Sequence, residues 1–205
     1  MKSSSLTRKW LAIVVLCLAC VAIAGIFWRQ ELKYLTPTPI PSAYVAVSVG
    51  EDVALPPSLS RGPSYFLHFY NPDCPCSRFN AKHIQSLIRN YHDSIRFVIV
   101  VPQHASVAEA KSKFGDDMNY VSDTEDRIAR SCGVYSTPQA AIITASGKLY
   151  YRGNYNRSRY CTARATNFAE LSLIALLNKQ PSPVFDVLAT QSYGCELPAN
   201  EIEFF

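Results

Sequence analysis

The hydrophobic pattern divides the chain into one continuous apolar block and a longer region of short periodic segments. The block, WLAIVVLCLACVAIAGIFW, runs uncharged from Trp10 to Trp28, with Lys2, Arg8 and Lys9 ahead of it and Arg29 after it. A helix of about twenty apolar residues spans a bilayer core of roughly 30 Å. Tryptophans at both ends suit the interfacial aromatic belt, and the leading basic residues put the N-terminus inside. The pattern predicts a cytoplasmic N-terminus (1–9), a transmembrane signal anchor (10–28) and a remainder outside the cytoplasm. A cleaved signal peptide is the competing reading, because Ala22-Ile23-Ala24 has a small-x-small form. Apolar sequence continuing to Trp28 favours the uncleaved anchor. Residues 29–43 contain Pro37, Pro39 and Pro41 and read as an extended linker.

Beyond the linker the periods shorten. Tyr44 to Val49 alternates as a short strand would. SYFLHFY, from Ser64, is a β-rich run, and Ser77 to Tyr91 follows with Phe79, Ile84, Leu87 and Ile88 at helical spacing. IRFVIVV (95–101) has the unbroken apolar character of a buried central strand. Val107 to Phe114 suits a helix, Tyr120 to Ser122 a strand and Thr124 to Ser131 a helix. Gln139 to Thr144 and Leu149 to Arg152 flank the turn Ala145-Ser146-Gly147-Lys148 and form a hairpin. TNFAELSLIALLN (166–178) is the last amphipathic helix, with Thr166 or Asn167 as its cap. Alternating strands and helices closed by a hairpin predict an α/β fold, a central mixed sheet flanked by helices.

Charge and composition add little to this. The net charge of +4, partly from the N-terminal flank, calls for no nucleic acid. Cysteine usage adds more. Cys17 and Cys20 lie in the apolar block and read as small membrane-helix residues. Five lie beyond it: Cys74, Cys76, Cys132, Cys161 and Cys195. In an oxidising compartment such a set forms disulfides, and an odd number leaves one thiol over. Cys74 and Cys76 stand at a strand-to-helix junction, where the positive end of the helix dipole lowers a thiol pKa.

Two local motifs, HFYNPDCPC (68–76) and Gly133-Val134-Tyr135-Ser136-Thr137-Pro138, resemble the thioredoxin-like superfamily, in particular the redoxin/TlpA-like membrane-anchored thiol-disulfide oxidoreductases. The resemblance covers 44–179, followed by a C-terminal extension, 180–205, that carries Cys195. It implies a thioredoxin-like fold in which Cys74 attacks as a thiolate and Cys76 or another cysteine resolves the mixed disulfide. It also implies a cis Pro138 that brings the Thr137 backbone beside the sulfur. C-P-C is one residue shorter than the usual C-x-x-C, and a bridge across a single residue is expected to be strained and easily reduced. The loop is similar, too, to redoxins with D-C-P-x-S and a late Gly-Cys, a pattern matched by Gly194-Cys195.

His68 occupies a strand position where thioredoxins often carry a buried acid. It reads either as a proton acceptor or as a hydrogen-bonded core histidine. Cys161 and Cys195 are the candidates for a structural disulfide, with Cys195 alternatively free to resolve Cys74, and Cys132 reads as a buried small hydrophobe. Together these readings predict a single-pass inner-membrane oxidoreductase whose domain lies in the periplasm and acts on protein or small-molecule thiols, with no cofactor. The competing class is a copper- or zinc-binding assembly protein in which the two thiolates and His68 or His83 are ligands. The basic aromatic run YYRGNYNRSRYCTAR reads as a solvated hairpin edge, and Asn156-Arg157-Ser158 as a glycosylation sequon where the host uses one.

Overall fold

In a computed structural model the described residues are 3–30, 36–59, 62–158 and 161–197. The chain forms two compact units, Met1–Thr36 and Pro37–Phe205. The first contains helix α1, Ser3–Gln30. Its Leu6–Arg29 portion is long and apolar enough to cross a membrane, as either a signal anchor or a signal peptide would be.

The second unit is an α/β domain with thioredoxin-like strand order. Its five-stranded sheet runs β3-β2-β1-β5-β6, built from β1 (Tyr65–Phe69), β2 (Arg96–Pro102), β3 (Asn119–Asp123), β5 (Gln139–Ile143) and β6 (Leu149–Gly153). β1, β2 and β3 are parallel, whereas β5 and β6 are antiparallel additions. β1 is central because all five of its residues are buried, and side chains alternate between faces along it. Tyr65, Leu67 and Phe69 join Val98, Val100, Ala141 and Ile143 on one face. Phe66 meets Phe97, Ile142 and helices α2 (Pro75–Tyr91) and α5 (Phe168–Leu177) on the other. Each large side chain buried this way contributes about 1.5–3 kcal/mol. Helix α3 (Val107–Phe114) begins at Ser106, whose hydroxyl accepts from the Glu109 N–H.

The predicted element order holds, with local differences. Tyr44 to Val49 forms no strand. The backbone pairing falls a few residues later: Gly50 N–H donates to Leu149 O, Leu149 N–H to Glu51 O and Val53 N–H to Gly147 O. The helix expected from Thr124 breaks at Glu125 and Asp126, both at positive φ. Helix α4 therefore covers only Arg127–Ser131, and the Asp123 carboxylate caps it by accepting from Ile128 and Ala129 N–H. Asn167 precedes α5 without a capping bond from its side chain, because its Oδ1 accepts from Asn156 Nδ2 instead, while its amide donates to Glu170.

Short elements that escaped the periodicity include β4 (Ser136–Thr137), α6 (Val187–Thr190) and β7 (Cys195–Glu196). α6 is stitched to β6. Asn154 N–H donates to Ala189 O, and its side-chain amide donates to Leu188 O and Gln191 O. Gly153 is required at that approach, since a Cβ would collide with the Ala189 carbonyl.

Candidate active site at the cis-proline loop

β1 ends at Phe69, and the chain turns through Asn71, whose side-chain carbonyl accepts from Asp73 N–H at 3.0 Å. Cys74 is then the N-cap residue of α2, with Pro75 in the first turn. Proline suits that position because its missing N–H would have had no helical partner. The sulfur at Cys74 thus sits at the positive end of a 17-residue helix.

Cys74 is bonded to Cys195, with a Cα–Cα distance of 5.9 Å. The candidate Cys161–Cys195 bridge does not form, and Cys161 is a free thiol. The reason is topological. β7 pairs antiparallel with β4, setting Cys195 opposite Thr137, and Thr137 precedes a cis peptide bond to Pro138. The Thr137 carbonyl lies 3.4 Å from Cys74 Sγ. In the bridged state that sulfur carries no hydrogen, so the contact becomes a hydrogen bond only when Cys74 is reduced to a thiol. A Cβ on Gly194 would strike the same carbonyl, so only glycine lets β7 come this close.

A residue with no sequence signature completes the layer. Thr38, from the proline-rich stretch expected to be a linker, is 5% exposed. Its N–H donates to Ser192 O at 2.8 Å, and its hydroxyl donates to Gly194 O and accepts from Gly194 N–H. Ser192 in turn accepts from Gln139 Nε2 at 2.6 Å. Four distant segments, around residues 38, 74, 137 and 195, converge on the bridge.

Cys76 takes no part in the bridge. It is 3% exposed and unbonded, and burial pushes its thiol up to about 11. With Asn80, Pro138, Tyr155, Asn156 and Cys161 it lines a cavity of about 40 Å³, room for about three waters. Cys161 has a left-handed backbone, φ 52°, uncommon outside glycine. Its Sγ–H donates to Asn80 Oδ1 at 3.0 Å, and burial raises it to about 12. Cys132 is fully buried in the apolar cluster on the opposite sheet face and is raised to about 12 for the same reason.

His68 has no exposed surface, and its Nδ1 lies 2.7 Å from Tyr155 Oη. Tyr155 donates onward to Gln139 O, so we assign the proton to His68 Nδ1, giving a chain from imidazole to phenol to carbonyl. Burial first, and then neighbouring His83, hold His68 down at about 3. At neutral pH it is an uncharged hydrogen-bond partner.

Among the described residues, no three His, Cys, Asp or Glu side chains converge as metal ligands. The sequon Asn156 is 6% exposed, and its amide donates to Ala163 O and Asn167 Oδ1, which leaves no free amide for a glycan.

Residues 46–196 match the family model described as a domain of unknown function, DUF6436. The chain belongs to that family. No curated protein matches it. Among solved structures it is similar to a hypothetical protein from Sinorhizobium meliloti 1021, at 16% identity and TM-score 0.61, covering 75% of this chain and 95% of that one. It is also similar to an uncharacterized conserved protein from Geobacillus kaustophilus, at 18% identity and TM-score 0.62, covering 78% and 96%. A looser overlap, TM-score 0.43 at 20% identity over 57% and 82%, is with Mycobacterium tuberculosis dsbF in its mixed oxidized and reduced forms. The first two likenesses establish a shared fold. The family span begins after Thr38, so that residue lies outside what the family match covers.

Proposed function

We propose that this protein is a thiol-disulfide oxidoreductase, held in the inner membrane by α1, whose domain works in the periplasm on protein or small-molecule thiols. The observation that carries the reading is the Cys74–Cys195 bridge laid across the cis-proline loop at a helix N-terminus. A substrate thiolate attacks Cys74 Sγ, the Cys74–Cys195 bond breaks, and Cys195 leaves as a thiolate that takes up a proton. The substrate's second thiolate then attacks its own mixed-disulfide sulfur and expels Cys74. One substrate disulfide has formed and the protein holds two thiols; the reverse sequence reduces a substrate. The helix dipole stabilises the departing Cys74 thiolate. Cys195 is the resolving partner in this scheme. Release of Cys195 also frees the β4 edge at Thr137, where an extended substrate segment carrying its own cysteine can pair.

The test is a redox titration of the full chain in detergent, using glutathione buffers, alkylation and mass mapping, with and without Cys74→Ser. Reversible opening of the Cys74–Cys195 bridge at a defined potential, absent from the variant, supports the reading. A bridge that never opens short of unfolding, or stoichiometric copper or zinc on a permanently reduced Cys74, overturns it.

A further inference from the structure

The bridge consumes two of the five cysteines beyond α1, and Cys132 is sealed in the apolar layer on the far side of the sheet. Cys76 and Cys161 remain, and both line the same small cavity. Asn80 ties them together. It lies one helical turn after Cys76 on the same face of α2, and its Oδ1 accepts from Cys161 Sγ at 3.0 Å. Its Nδ2 is buried without a partner among the described residues, on a side chain only 2% exposed. An orphaned amide in a native interior calls for an explanation. The cavity's polar wall faces two thiols.

We propose that Cys76 and Cys161 are a second dithiol, which takes over the disulfide from Cys74 and Cys195 by exchange within the chain. The transfer half of the proposal rests on Cys74 being redox-active as proposed above; the pairing half does not. Cys76, as a thiolate, attacks Cys74 Sγ and expels Cys195 as a thiolate. Cys161 then attacks Cys76 Sγ and expels Cys74. One disulfide has been broken and one formed, two protons have moved from the cavity thiols to the outer pair, and no outside oxidant is consumed. The outer cysteines are thereby returned to the reduced state while the oxidising equivalent is stored in the cavity. Because burial disfavours both thiolates, transfer is slow at neutral pH and speeds up about tenfold per pH unit towards 11.

Two arms test this on the full chain. In the first, Cys74→Ser/Cys195→Ser protein is treated with diamide, which accepts two electrons. The expected product is about 2 Da lighter, with tryptic fragments 62–78 and 160–164 joined. In the second, unmutated protein with its outer bridge closed is held at pH 9 without oxidant, quenched in acid and alkylated. Fragment 62–78 should pass from fragment 180–205 to 160–164, with fragmentation placing the link at Cys76. A Cys76→Ser chain should show no such transfer. Absence of the 62–78 to 160–164 link from both arms overturns the proposal. A link in the first arm alone, with a bridge that cycles in glutathione, overturns the transfer and keeps the pair. A bridge inert in glutathione sinks the oxidoreductase reading, while the first arm still decides the pair.

Discussion

The layer around Cys74–Cys195 and the cavity around Cys76 meet at the first turn of α2, yet they are built from different materials. The bridge layer is backbone: β7 pairs with β4, Thr38 clamps Ser192 and Gly194, and Gly194 gives way to a carbonyl. The cavity is side chain: His68 bonds Tyr155, Asn80 accepts from Cys161 and Asn156 donates to Asn167, each pair held by a polar contact of its own. Backbone pairing can be released and remade by one strand, whereas a buried polar network either satisfies its members or pays a desolvation cost of several kcal/mol in total. Two sulfurs one residue apart therefore differ sharply. One is held in a bond to a displaceable strand, and the other is kept protonated by burial.

The contrast can be broken most forcefully at Cys195. Its bridge closes a loop of sequence separation 121, and Cys195→Ser should lower unfolding stability by about 3–5 kcal/mol in urea titration, with loss of reversible oxidation at Cys74. An unchanged midpoint would mean that β7 holds without the bond. Gly194→Ala comes next: the methyl meets the Thr137 carbonyl, and about 1–3 kcal/mol should be lost. Here the informative readout is the bridge itself, which should open in milder dithiothreitol than in the parent.

On the cavity side, His68 is neutral in the fold and titrates near its ordinary value of 6.5 when unfolded. The unfolded chain binds the extra proton between pH 6.5 and about 3, so this contribution is complete above 6.5 and is lost progressively as pH falls. Between pH 6.5 and 5 the loss is about 2 kcal/mol. His68→Gln should flatten that part of the stability profile, while leaving the bridge's reducibility unaltered. Thr38→Val is the mildest change. It strips the clamp from Gly194 at about 1–2 kcal/mol and should raise the fraction of open bridge about 5–30-fold at fixed glutathione ratio. Thr38→Ser should restore it. If valine leaves the redox equilibrium where it was, Thr38 only packs.

Much of the scaffold was legible because its signals are local. IRFVIVV is short, unbroken and rich in β-branched residues, as a buried strand is, and NPDCPC followed by a helical period marks a helix start. What was not legible depends on contacts between distant segments. Cys195 could not be matched with Cys74 from spacing, because the choice is made by β4 and β7, two-residue strands too short to show a period. Gly194 ahead of Cys195 was the one available hint. Thr38 looked like a linker residue among prolines, and its role exists only because Ser192 and Gly194 arrive beside it. His68 could be read two ways, and the 2.7 Å contact to Tyr155, 87 residues away, favours the hydrogen-bonded core histidine.

The Cys74–Cys195 bond also makes the redox state visible without any assay of turnover. A chain carrying so long a covalent ring cannot extend fully in detergent, so oxidised material migrates ahead of reduced material on a denaturing gel. Cells quenched in acid and alkylated before lysis would show, as two bands, which form predominates during growth.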